Sequence, residues 1–245
     1  MKIKDDVLAI LSKTTVDGNT VYLNCEQLER KMYMDVNKVL ESMGGKWNRK
    51  AKGHVFDDDP NEKLEAILLS GEYDKPADFG FFPTPDELVM KMIDYADLKY
   101  GMTVLEPSAG TGAIAYKVKE ITGSVDCFEL QEKNCQILQK MGIMAECCDF
   151  LTVEAKPLYD RVVMNPPFAK QQDIDHVTHA LKAVKPGGKL VSIMSSGITF
   201  RQNRKTIDFL SLIEGHSQII NNPPNSFKLS GTAVNTIMLI VDKRV

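Results

Sequence analysis

Residues 103–112 read Thr103-Val104-Leu105-Glu106-Pro107-Ser108-Ala109-Gly110-Thr111-Gly112, and the class of fold is decided here. The first four residues have the character of a short buried strand. Ala113 to Glu120 continues with helical spacing, so the glycines lie in a turn that carries a strand into a helix. Downstream the same alternation repeats. Ser124 to Glu129, Met144 to Cys148, Arg161 to Met164 and Lys189 to Met194 read as strands, with helices at Gln131 to Met141 and Val177 to Val184. Strands alternating with helices imply a largely parallel sheet wrapped by crossover helices. Ser217 to Ile220 and Asn235 to Val241 read as an antiparallel hairpin that closes it.

Upstream, residues 1–75 form a small α+β module and residues 76–245 the main domain. Val21 to Leu23 reads as a strand and Glu26 to Met43 as a helix, with Leu28, Met32, Val36, Val39, Leu40 and Met43 at spacings of three and four. Gly44-Gly45 ends that helix. Lys46-Trp47-Asn48 and His54-Val55-Phe56 read as a hairpin around a basic turn, and a further helix runs through Leu64, Ile67 and Leu68. The stretch Gly71 to Phe82, with Pro76 and Gly80, reads as the linker.

The Gly-rich turn is a candidate ligand cradle. Glycine lets the backbone approach a ligand closely, and the following helix offers free N–H groups at its start. Glu129 ends the next strand, 19 residues after Gly110, near the offset of roughly 20 at which an acid accepts ribose hydroxyls. No phosphate-cradling Gly-Lys-Ser/Thr loop is present. The third glycine of a dinucleotide fingerprint is replaced by Ala115, which disfavours a dehydrogenase without excluding one.

Asn165-Pro166-Pro167-Phe168 follows the strand Arg161 to Met164, where ligands sit in open parallel sheets. Two prolines fix the backbone and remove two donors, leaving the Asn165 side-chain oxygen and the Pro166 carbonyl as a rigid acceptor edge. Two acceptors suit the two hydrogens of a planar amino group. They favour a tetrahedral nitrogen whose lone pair can attack, and Phe168 offers a flat partner for a base taken out of its stack. Asn222-Pro223-Pro224 repeats the tripeptide beside a late strand and reads as a structural loop.

Together these motifs resemble class I S-adenosyl-L-methionine-dependent amino-methyltransferases, most closely the DNA adenine-N6 enzymes with gamma motif order. The resemblance covers roughly residues 79 to 245 and implies a doubly wound, seven-stranded Rossmann-like α/β sheet. It implies a cofactor site at Phe82, Pro83, Thr84, Glu106, Pro107, Ser108, Ala109, Gly110, Gly112, Glu129, Leu130, Asp149, Phe150 and Asn165, with S-adenosyl-L-homocysteine as the product. Phe82-Pro83-Thr84-Pro85 corresponds to the motif at the methionine end, and Asp149-Phe150 to the one that holds the adenine. Asn165, Pro166, Pro167 and Phe168 are the expected catalytic group. Phe227 and Ser230-Gly231-Thr232 resemble a segment near the target-base pocket. Adenine in RNA, and glutamine in protein, are the neighbouring substrates. Those groups carry Asp-x-Gly-x-Gly and a Tyr at the fourth catalytic position, where this chain has Glu106-Pro107-Ser108 and Phe168. A non-catalytic, cofactor-dependent DNA-binding regulator is the remaining alternative. A cytosine-C5 mechanism needs a Cys after a proline, and no Cys follows one here.

Sequence-reading relatives carry a separate recognition domain, and none is evident here. Recognition then falls to the N-terminal module, to a partner protein or homodimer, or is relaxed; the compact size suggests a phage or mobile-element origin. Lys46, Trp47, Arg49, Lys50 and Lys52 are the candidate nucleic-acid contacts, with no acid between Lys46 and His54. The net charge is −3, so any polyanion site is local. The start of the chain turns acidic at Asp5-Asp6, unlike a signal peptide, and no apolar run suits a membrane span. No metal site is expected. The five cysteines show no disulfide or zinc spacing, which points to small apolar residues in a reducing cytoplasm.

Overall fold

The computed structural model describes residues 3–25, 27–57, 59–71, 83–227 and 234–244. The chain divides into two compact units, one formed by Met1–Asp78 with Ser196–Asp208, the other by Phe79–Ser195 with Phe209–Val245.

The small unit contains α1 (Asp5–Leu11), β1 (Thr15–Asp17), β2 (Thr20–Tyr22), α2 (Arg30–Ser42), β3 (Lys46–Asn48), β4 (Gly53–Val55) and α3 (Asn61–Ser70). Its antiparallel sheet has the order β1-β2-β4-β3. Helix α2 buries Val36, Val39 and Leu40, residues three and four apart, against Leu8, Leu11, Val21, Phe56 and Ile67. Phe200 packs on this same core, and the buried Arg201 guanidinium pairs with Glu65 of α3 at 3.1 Å. These two side chains tie residues 196–208 to the small unit.

The larger unit contains α4 (Asp86–Ala96), β5 (Val104–Glu106), α5 (Ala113–Thr122), β6 (Asp126–Glu129), α6 (Glu132–Lys140), β7 (Ala145–Cys147), β8 (Tyr159–Met164), α7 (Gln172–Ala183) and β9 (Val184–Ser195). Helix α8 (Arg204–Ile213) leads into it from the small unit, and β10 (Ser217–Asn221) and β11 (Thr236–Asp242) complete it. The seven strands run in the order β10-β11-β9-β8-β5-β6-β7. The five from β5 to β9 are parallel, while β11 is antiparallel to both β9 and β10. Val162, Val163 and Met164 of β8 and Leu190, Val191, Ile193 and Met194 of β9 are completely buried, as central strands covered on both faces require. This is the doubly wound, Rossmann-like α/β sheet that the sequence predicts. Strand order reverses at β5, which has β6 on one side and β8 on the other, and the crevice at that switch point is where such sheets bind ligands.

Helix α8 and strand β1 had no counterpart in the sequence reading, α2 starts at Arg30 rather than Glu26, and three further features differ from it. Helix α7 begins at Gln172 rather than Val177, because its first turn carries polar residues that serve the interior. Asp173 is buried and accepts from the Ser195 N–H at 3.0 Å, pinning the helix start to the end of β9. Strand β9 starts five residues earlier than Lys189, and its Gly187-Gly188 hid the strand pattern. The expectation of five reduced cysteines is corrected: Cys135 on α6 and Cys147 on β7 form a disulfide, with Cα atoms 6.1 Å apart. Cys25 is exposed, Cys148 half-buried, and only Cys127 is a buried apolar thiol. The cysteines therefore lend no support to a reducing compartment. No helix of the described residues is long and apolar enough to cross a membrane.

Candidate active site

The loop after β5 bends through two left-handed glycines, Gly110 (φ +55°) and Gly112 (φ +91°). Gly112 has a second reason to lack a side chain, since a Cβ there would lie 2.8 Å from Leu138 of α6. Glu129, buried at the end of β6, holds the loop in place. One carboxylate oxygen accepts from Gly110 N–H at 2.7 Å, the other from Gln131 N–H at 2.8 Å and from the Asn134 side-chain amide at 3.3 Å. A carboxylate has about four acceptor positions, so about one is left for a ligand hydroxyl.

A cavity of about 300 Å³ opens at these strand ends. Its walls bring together Pro107 and Ser108 of the loop, Glu129 and Leu130, Asp149 and Phe150, and the whole of Asn165 to Phe168. Leu130 is 70% exposed, an apolar side chain left uncovered in the wall of a cavity. Asp149 caps the short 3-10 turn Phe150–Thr152 by accepting from Leu151 N–H at 2.9 Å. Phe150 is packed into the wall against Phe128 and, edge on, His179.

A second, water-sized cavity shares Ser108 and Asn165 with the first and adds Pro83, Thr84 and Glu106. Thr84 precedes α4, and its hydroxyl accepts from the Asn165 amide nitrogen at 3.0 Å. That bond turns the Asn165 oxygen the other way, where it is buried without a donor. Phe82 and Ser230-Gly231-Thr232 lie outside the described residues. Phe168 is buried, with its ring perpendicular to that of Phe227 at 6.4 Å. Lys170 and Gln171 both take left-handed torsions just after it, strain of the kind that a rigid functional loop stores. The repeated tripeptide plays no part in either cavity: Asn222 instead bonds back to Thr236 of β11 through its side chain (3.0 Å) and N–H (3.1 Å).

Sequence reasoning missed two groups here. Gln172 and His176, one turn apart on α7, line the larger cavity. Burial pushes the imidazole below the usual histidine range, and its Nδ1 has no partner. An i, i+4 polar pair was the available signal, but polar helix positions usually face solvent.

Glu106 is fully enclosed, and burial pushes its carboxyl well above the usual glutamate range, against the Ala115 N–H that favours the charged form; negative Glu129 raises it further. Among the described residues five buried side-chain polar atoms lack a partner. Four of them, Glu106 Oε2, Ser108 Oγ, Asn165 Oδ1 and His176 Nδ1, border these two cavities. Buried polar atoms are almost always satisfied, so this clustering fits a polar ligand that completes them. A nucleoside bearing a cationic amino-acid tail fits the set: Glu129 and Asp149 at one wall, and Glu106 with Thr84 at the narrow end.

No family model matches the chain. Among solved structures, the methyltransferase subunit of a type I restriction-modification system from Streptococcus thermophilus superposes with a TM-score of 0.57 at 19% identity, over 74% of this chain and 48% of that one. The 23S rRNA methyltransferase ErmE gives 0.51 at 18% identity, over 66% and 70%. A dimethyladenosine transferase from Plasmodium falciparum gives 0.50 at 15%, over 66% and 63%. At these identities the likeness is one of fold: the larger unit shares its doubly wound sheet with these methyltransferases. The chain spans about half the length of the restriction-modification subunit.

Proposed function

We propose that the larger unit transfers the methyl group of S-adenosyl-L-methionine to the exocyclic N6 amino group of adenine in DNA. The observation that carries this reading is Asn165 Oδ1, a buried acceptor without a donor at the carboxyl end of β8, in a cavity that it shares with Phe168. The sulfonium cofactor supplies an electrophilic methyl group. The chain supplies position. Glu129, Leu130 and Asp149 would hold the nucleoside of the cofactor, and Glu106 and Thr84 its amino-acid tail. Asn165 Oδ1 and the Pro166 carbonyl accept the two N–H groups of the adenine amine, which localises the nitrogen lone pair toward the methyl carbon. With the cofactor held there, its methyl would pass from sulfur to the amine nitrogen, and the surplus proton would leave that nitrogen for water. Phe168, braced by Phe227, closes the pocket against the flipped base. Glu106-Pro107-Ser108 and Phe168 favour DNA. RNA is the second reading, supported by the fold shared with an rRNA methyltransferase.

The test is transfer of labelled methyl from the cofactor to unmodified DNA, RNA and protein, with digestion to locate methyladenine. Asn165→Ala is expected to lower kcat/KM by about 100-fold or more, the order expected when one transition-state hydrogen bond is lost. S-adenosyl-L-homocysteine affinity should change far less. Undiminished transfer by Asn165→Ala, or label confined to RNA or protein, defeats the proposal.

A further inference from the structure

The small unit carries a cationic hairpin that the chemistry at Asn165 leaves unused. Strand β3 is the outermost of its sheet, and Lys46, Trp47 and Asn48 are all exposed. The turn after it is fixed: Asn48 Oδ1 accepts from the N–H groups of Lys50 (2.9 Å) and Ala51 (3.0 Å), and Lys52 takes a left-handed φ of +55°. Arg49, Lys50 and Lys52 therefore project from a preorganised backbone. Lys46, Arg49, Lys50 and Lys52 have no ion-pair partner among the described residues, in a chain whose net charge is −3. Trp47, 48% exposed, is braced from inside. Its ring meets that of His54 at 5.3 Å, and the fully buried His54 bonds Asn37 of α2 through Nε2 at 2.8 Å.

We propose that this hairpin binds the backbone of DNA, its four cations neutralising phosphates while the open side of Trp47 packs against a sugar or an unpaired base. A supported aromatic ring among unpaired cations suits a polyanion that carries flat bases; an acidic peptide offers nothing for the indole to stack on. The choice of DNA rests on the substrate read at Asn165, whereas the hairpin's charge and geometry do not.

Trp47 is the single tryptophan of the chain, so its emission reports this patch alone. The full chain is titrated with an unmethylated duplex oligonucleotide, without cofactor, across a salt series. Quenching of Trp47 is expected, with log K falling linearly against log salt. An Arg49→Ala/Lys50→Ala double variant should flatten that slope by about 2, roughly 0.9 per lost phosphate contact, and weaken binding roughly tenfold or more. Trp47→Phe, followed by labelled-DNA anisotropy, should keep the slope and lose affinity, and a thermal melt confirms that each variant is folded. DNA binding with unchanged Trp47 emission, an unaltered slope in the double variant, or equal quenching by polyglutamate overturns the proposal. Preference for RNA overturns the choice of DNA. Methyl transfer to DNA without Trp47 quenching retires the hairpin and leaves the methyltransferase reading intact. Quenching by DNA without methyl transfer supports the hairpin and retires that reading.

Discussion

Glu106, proposed above to meet the cofactor's amino-acid tail, costs the fold stability at the scale of one side chain. Its carboxyl is enclosed with one oxygen lacking a partner, and burial raises its pKa. The folded chain therefore holds this proton to a higher pH than the unfolded chain does. The resulting stability is fully present below the ordinary glutamate range and is lost as pH rises through the folded value. Glu106→Gln should remove that dependence, raising the melting temperature near pH 8 by a few degrees, the scale of about 1 kcal/mol in a chain of this size. The same variant should bind S-adenosyl-L-homocysteine about tenfold more weakly. Melting curves at pH 5 and pH 8 with calorimetric titration check both; a variant that gains no stability at pH 8, or binds unchanged, contradicts this role. The place of Asn165 at the end of a buried strand was legible in the sequence, because a proline pair marks where such a strand stops. The isolation of Glu106 was not, since a strand's last residue can equally face water.

Among elements, the glycine-bearing turn between β5 and α5 was readable from the strand–glycine–helix order alone. The contact between α6 and β7 was not: Cys135 and Cys147 are brought together by the path of the chain after the turn at Gly142, which no spacing rule records. The disulfide closes a short loop, with a sequence separation of 12, beside Glu129 and Cys148. On the chain-entropy account such a loop contributes about 3 kcal/mol. Dithiothreitol, or Cys135→Ser, should lower the melting temperature by several degrees, and Cys135→Ser should abolish any further effect of reductant. Identical melts with and without reductant would remove the crosslink from the energetics. The early start of α7 was hidden for a related reason, because Asp173 looks like a surface acid until Ser195 is placed beside it.

At the level of the whole molecule, residues 196–208 belong with the small unit although both neighbouring segments build the large one. Arg201→Ala should destabilise the small unit by about 2–3 kcal/mol, the scale for removing one partner of a largely buried ion pair. Trp47 emission reports that unfolding directly, and S-adenosyl-L-homocysteine affinity should stay within a few-fold of wild type. Loss of cofactor binding with no shift in the Trp47 transition would contradict this assignment. The position of β11 carries a different consequence, one for biosynthesis. Residues 236–242 pair with 189–195 on one side and with 217–221 on the other, so the strand made last fills the gap between two made earlier. Until it leaves the ribosome the hydrogen-bonding edge of β9 stays open, for roughly a few seconds at ordinary rates of translation. That interval is when a nascent chain is exposed to mispairing and has most to gain from a chaperone, and a premature stop ahead of residue 236 would make the exposure permanent.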